Sequence, residues 1–185
     1  MKTFNLFDKI LSSLCAVGFI LWLGGSIIRL VIGFDIFIPG TAILKGYSNE
    51  LSLHLAQLYA ITAPYVDISF IIVFLVTLYL LFKFSSQLKQ NGWLFMCAIL
   101  IILIAIPNGY LFYYDYNLVI AAAKDGITFN SPEIQEYFLH RFTKLNYLDP
   151  LVLLSGITIP ILVVFRPLNN KIRNKNTTLN QNDSK

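Results

Sequence analysis

The sequence predicts an all-α, polytopic integral membrane protein: four transmembrane helices in a bundle, with helical extensions on the outer side. Three observations predict it. Hydrophobic residues make up 56% of the 185 and charged residues only 13%, with a mean hydropathy of +0.66, whereas a soluble domain carries about 25% charged residues. Four apolar stretches each reach the roughly 20 residues that cross a hydrocarbon layer of about 30 Å. Finally, the basic residues fall into alternating loops, as spanning helices require.

The four spans leave no room for a separate soluble domain. The chain divides into a cytoplasmic lead-in over 1–9, a membrane domain over 10–167, and a disordered basic tail over 168–185, rich in Asn, Lys and Thr with nothing to bury.

The first apolar stretch, Ile10 to Ile32, is too long for a signal-peptide core and has no small-residue cleavage site before Arg29, which predicts a retained helix. Gly18, Trp22, Gly25 and Arg29 follow one another at steps of four, three and four, hence on one face. Small residues on that face permit close helix approach. A connector with breakers at Gly33, Pro39, Gly40 and Gly46 follows.

Ser48-Asn49-Glu50 has the composition of a helix start, a serine cap followed by an acid. This helix runs without a stop signal into the second span, which ends at Lys83. Ala56, Ala60, Ala63 and Asp67 share a small face, so Asp67 looks into the bundle. A short basic loop leads to Trp93, an interfacial anchor opening the third span. That span carries Pro107-Asn108-Gly109 and extends to about Ala123. Ser131-Pro132-Glu133 starts another helix, expected to run to Leu148 and meet Asp149-Pro150, where the fourth span starts or kinks.

Nine basic residues lie in the lead-in, the Lys83–Lys89 loop and the tail, and four (Lys45, Lys124, Arg141 and Lys144) in the other two loops. Both termini are therefore expected in the cytoplasm of a cell-membrane protein. The net charge of +4 is then a topology signal, not a nucleic-acid one. Cys15 and Cys97 are isolated, form no disulfide or metal motif, and read as packing residues.

Counting inward from the cytoplasmic ends at 1.5 Å per residue places Asp67 at about 24 Å, Asn108 at about 22 Å, Asp149 at about 25 Å and Arg29 at about 30 Å. Each span supplies one strongly polar group at a similar depth in the outer leaflet. Pro64, Pro107 and Pro150 stand beside three of them, and a helix-interior proline frees a carbonyl four residues back. Nine of the ten tyrosines belong to the outer half, all but Tyr79. One reading is a solute pocket open to the outside, floored by Arg29, Asp67 and Asn108 and walled by tyrosine. The other is an Arg29–Asp67 structural ion pair, ordinary kinks and an interfacial tyrosine belt.

The two histidines each follow a glutamate by four, as Glu50/His54 and Glu136/His140. Two carboxylates and two imidazoles could surround an outer-side metal ion. The spacing departs from the Glu-x-x-His of di-iron bundles, and helix-surface pairs are the simpler reading.

Trp22-Leu23-Gly24-Gly25, together with Phe138-Leu139-His140-Arg141 followed by Asn146 and an apolar run, resembles the four-helix membrane proteins grouped around transmembrane protein 205. The layout is more distantly similar to copper-resistance-D-type membrane domains. The resemblance spans residues 10–166 in outline and implies a four-helix bundle with extended outer helices. It would make His140 and Asn146 family-like polar positions, and it implies no reaction. Asp149-Pro150 departs from the pattern.

The expected function is binding or passage of a small polar or ionic solute at the outer layer of Arg29, Asp67, Asn108 and Asp149. The alternatives are an accessory subunit of a larger membrane complex and a metal- or haem-dependent oxidoreductase. No glycine-rich phosphate loop, Ser-His-Asp pattern or cysteine pair is present, so neither catalysis nor a cofactor is expected. The expected partners are the lipid bilayer and other membrane subunits.

Overall fold

A computed structural model describes residues 5–39, 41–88, 91–145 and 147–167. The described residues are all-helical, with no strand among them and an isolated bridge between Phe37 and Leu44. Four helices are long and apolar enough to cross a membrane: α1 (Leu6–Phe34), α2 (Asn49–Lys83), α4 (Gly92–Ala122) and α7 (Leu148–Phe165). A short α3 (Ser85–Leu88) follows α2. Between α4 and α7 run α5 (Pro132–Ile134), a π-helical stretch (Gln135–Leu139) and α6 (His140–Lys144). The expected basic tail, 168–185, lies outside the described residues.

The helix starts follow their local chemistry. Ser48 Oγ accepts from Leu51 N at 3.2 Å, and α2 then continues unbroken for 35 residues, through Pro64. The long uninterrupted second helix expected from Ser48-Asn49-Glu50 is thus present. Pro132 opens α5 at a position where a missing N–H costs nothing.

One expected boundary is corrected. The helix from Pro132 stops at Lys144 rather than Leu148, and the chain breaks there before α7 begins. Pro150 therefore sits in the first turn of α7, where it fits the helix instead of kinking it. Asp149 stands in the same turn, at the positive end of the helix dipole.

Contacts join α1 to α2, α2 to α4, α4 to α7 and α7 to α1. The expected seam of α1 is real, with Gly18, Trp22, Gly25 and Arg29 all buried. At Gly25 a Cβ would stand 2.6 Å from Val66 Cγ2, so only glycine admits α2 at this separation. Gly33 likewise meets the tip of the Phe142 ring, whose Cζ stands where a Cβ would need to be. Many large apolar side chains face outward, among them Ile20, Ile61, Ile106 and Val164.

Two apolar clusters divide the interior. One, made by Trp22, Val66, Phe70, Ile104 and Val152, lies between the four long helices. The other gathers Ile36, Phe37, Ala56, Tyr59, Leu118, Ile134, Phe138 and Phe142 from the Arg29 end of the long helices and the segments that cover it. A polar level meets both clusters, at Tyr59 of the one and at Val66 and Val152 of the other.

Candidate functional site

Arg29, three turns after Gly18 on the α1 seam, enters this level with its side chain only 5% exposed. An ionised group at that burial needs a counter-charge in hydrogen-bonding geometry. Its partner is Asp115 of α4: Arg29 Nη1 donates to Oδ2 at 3.0 Å and Nη2 to Oδ1 at 2.5 Å, a two-pronged contact. The guanidinium also lies over the Tyr59 ring, 4.1 Å from its centroid, a cation–π contact of about 2 kcal/mol when desolvated.

Arg141 of α6 completes the cluster from the other side. Its Nη1 donates to Asp115 Oδ1, and its Nη2 and Nε donate to Asp149 Oδ1 and Oδ2 at 2.8 and 3.4 Å. Burial works against its charge, but Asp115, Tyr59 and Asp149 outweigh that cost and hold its pKa well above the ordinary arginine value. Arg29, Asp115, Arg141 and Asp149 thus form a chain of alternating charges joining α1, α4, α6 and α7.

These side chains line a cavity of about 20 Å³ with Ser26, Tyr59, Asp67 and Asn108. A volume of about 10–15 Å³ suffices for one water molecule, so the space takes a water-sized ligand and little more. Asn108 Nδ2 donates to the Ile104 carbonyl at 3.2 Å, bracing α4 just past Pro107. Asp67 is half-buried on α2 and makes no hydrogen bond or ion pair among the described residues. Arg29 Nε, fully buried, also has no partner among them.

All four residues expected in the polar layer, Arg29, Asp67, Asn108 and Asp149, therefore line one cavity. Two parts of the expectation are corrected. Arg29 pairs with Asp115, not Asp67, because Asp115 offers both carboxylate oxygens to its fork. The walls are not tyrosine: only Tyr59 lines the cavity. Tyr110, Tyr113, Tyr114 and Tyr137 pack on one another instead, with ring centroids 5.3–6.4 Å apart.

Sequence reasoning missed Asp115 and Arg141. Asp115 hides among tyrosines, yet it follows Asn108 by seven residues, two turns along the same face. That spacing was the available signal. Arg141 carried none, because its approach to Asp149 depends on the break after Lys144.

Glu50, His54 and Glu136 are exposed, and His140 is half-buried with its ring stacked on Tyr114 at 5.8 Å. No three His, Cys, Asp or Glu residues among those described are grouped to hold a metal ion. Asn146, singled out by the family resemblance, lies outside the described residues.

No protein-family model, curated protein or solved structure matches this chain.

Proposed function

We propose that the chain is an integral membrane protein whose four long helices span the bilayer as a bundle, with both termini cytoplasmic, and that it binds a small polar or ionic solute in the charge layer. The observation that carries this reading is the Asp67 carboxylate, which faces a water-sized cavity beside two arginines and makes neither hydrogen bond nor ion pair among the described residues. An intramembrane carboxylate of this kind is costly to keep, about 2.5–3.5 kcal/mol on insertion scales, and marks solute or proton sites. The Trp22–Phe70–Ile104 cluster next to the layer favours binding over open passage.

The test is the thermal stability of purified protein across salts of sodium, potassium, ammonium and chloride, and across pH. One member of the series should stabilise the native chain and leave Asp67→Ala unaffected. A series in which nothing separates the two proteins would overturn the reading. For orientation, an impermeant thiol reagent applied outside cells, with both native cysteines replaced, should label cysteine at position 45 or 124 and spare position 89. The reverse pattern would invert the topology.

A further inference from the structure

The solute class follows from the charge inventory of the layer. Two guanidiniums, Arg29 and Arg141, face three carboxylates, Asp67, Asp115 and Asp149. Asp115 takes a fork from Arg29 and a donor from Arg141, and Asp149 takes one bond from each of the other two nitrogens of Arg141. The arginines are thereby matched one for one, and the third carboxylate, Asp67, is in excess. With all five groups ionised the layer would hold one uncompensated negative charge beside an apolar cluster, an expensive arrangement.

We propose that the layer binds one proton, on Asp67, as its charge-balancing ligand. The proposal rests on the solute-binding reading and deepens it. The groups facing Asp67 are Arg29 from α1, Tyr59 of its own helix, Asn108 and Asp115 from α4, Arg141 from α6 and Asp149 from α7. A metal cation is disfavoured by the two guanidiniums lining the same small space, and an anion by the three carboxylates. A proton needs no coordination sphere and no volume. It is taken up from hydronium, whose O–H bond breaks to leave water as the carboxyl O–H forms. When Asp67 loses it, one donor available in the layer to answer the new charge is Arg29 Nε–H, fully buried and without a partner among the described residues. Loss of the proton would therefore draw on the same side chain that holds Asp115.

Infrared spectroscopy of the full-length protein in lipid at neutral pH reads this directly. The expected result is a protonated-carboxyl C=O stretch that shifts when aspartate is labelled with carbon-13 and disappears in Asp67→Asn. The isotope shift shows a protonated aspartate without any variant, and if Asp67→Asn folds poorly, Asp67→Glu assigns it, since the band should then lose its sensitivity to labelled aspartate. A band that survives in a folded Asp67→Asn would place the proton elsewhere and overturn the proposal. Absence of the band in native protein, with sodium stabilising it and not Asp67→Ala, would also overturn the proton while upholding solute binding. Absence of the band with no solute effect at all would remove both.

Discussion

Charged groups tie α1 to its neighbours at two levels, and the two sites are built differently. At the Lys83 end, Asp8 accepts from the Asn5 backbone N at 3.0 Å and from Lys83 Nζ at 2.6 Å. Both oxygens are used, one negative charge meets one positive charge, and Lys83 remains 22% exposed. That site is closed: it caps a helix and pins α1 to α2. At the Arg29 end, Arg29, Asp67, Asp115, Arg141 and Asp149, from five helices, crowd a cavity, and the bonds made leave one carboxylate and one guanidinium nitrogen without a partner among the described residues. A closed pair has nothing to offer a ligand, whereas the second site has an excess charge, a donor and a small space.

The sharpest break in that comparison is removal of the carboxylate that both arginines share. Asp115→Ala leaves Arg29 and Arg141 facing each other, and breaking a buried pair costs about 3–5 kcal/mol. Asp8→Ala should cost clearly less, because Lys83 can turn to water, and the part of the loss that comes from Lys83 should shrink in high salt while the part from the Asn5 cap stays. Denaturation of the purified variants would rank them. A double-mutant cycle should find strong coupling between Arg29 and Asp115 and weaker coupling between Arg29 and Asp67. An Asp8 variant as damaging as Asp115→Ala would erase the distinction between the two sites.

Gly33→Ala tests the packing that covers the Arg29 end alone. The added methyl meets the Phe142 ring, one residue from Arg141, and overpacking of this kind costs about 1–3 kcal/mol. Thermal midpoints should fall while the Asp8–Lys83 end is untouched. Unchanged stability would mean that the 132–144 segment shifts freely and does not hold Arg141 in place.

The smallest effect is expected from the histidines. Glu50, His54 and Glu136 are exposed and His140 stacks on Tyr114, with no hydrogen bond or ion pair within either Glu/His pair among the described residues, and even a formed helix-surface pair is worth only about 0.2–0.5 kcal/mol. Replacing both histidines by alanine should leave folding and bound-metal content unchanged, which elemental analysis beside a melting curve would check. Loss of a stoichiometric metal would add a third charged site and revive the metal reading.

Much of this molecule was legible in the chain. Length and hydropathy fixed four long apolar helices, since each local stretch carries its own signal. The 3.6-residue period placed Gly18, Trp22, Gly25 and Arg29 on one buried face. Counting rise per residue brought Arg29, Asp67, Asn108 and Asp149 to one level, and all four do line one cavity. What helix arithmetic could not supply was rotation: depth says which charges are level, not which carboxylate turns toward which arginine. Asp115 takes Arg29 because α4 presents both of its oxygens to the guanidinium fork, while Asp67 lines the same cavity without reaching that fork. Arg141 reaches the layer only because the chain stops its helix at Lys144 and restarts at Leu148. The segment before that break packs Phe138 and Phe142 against Tyr59, a contact between residues some eighty positions apart on which no sequence period bears.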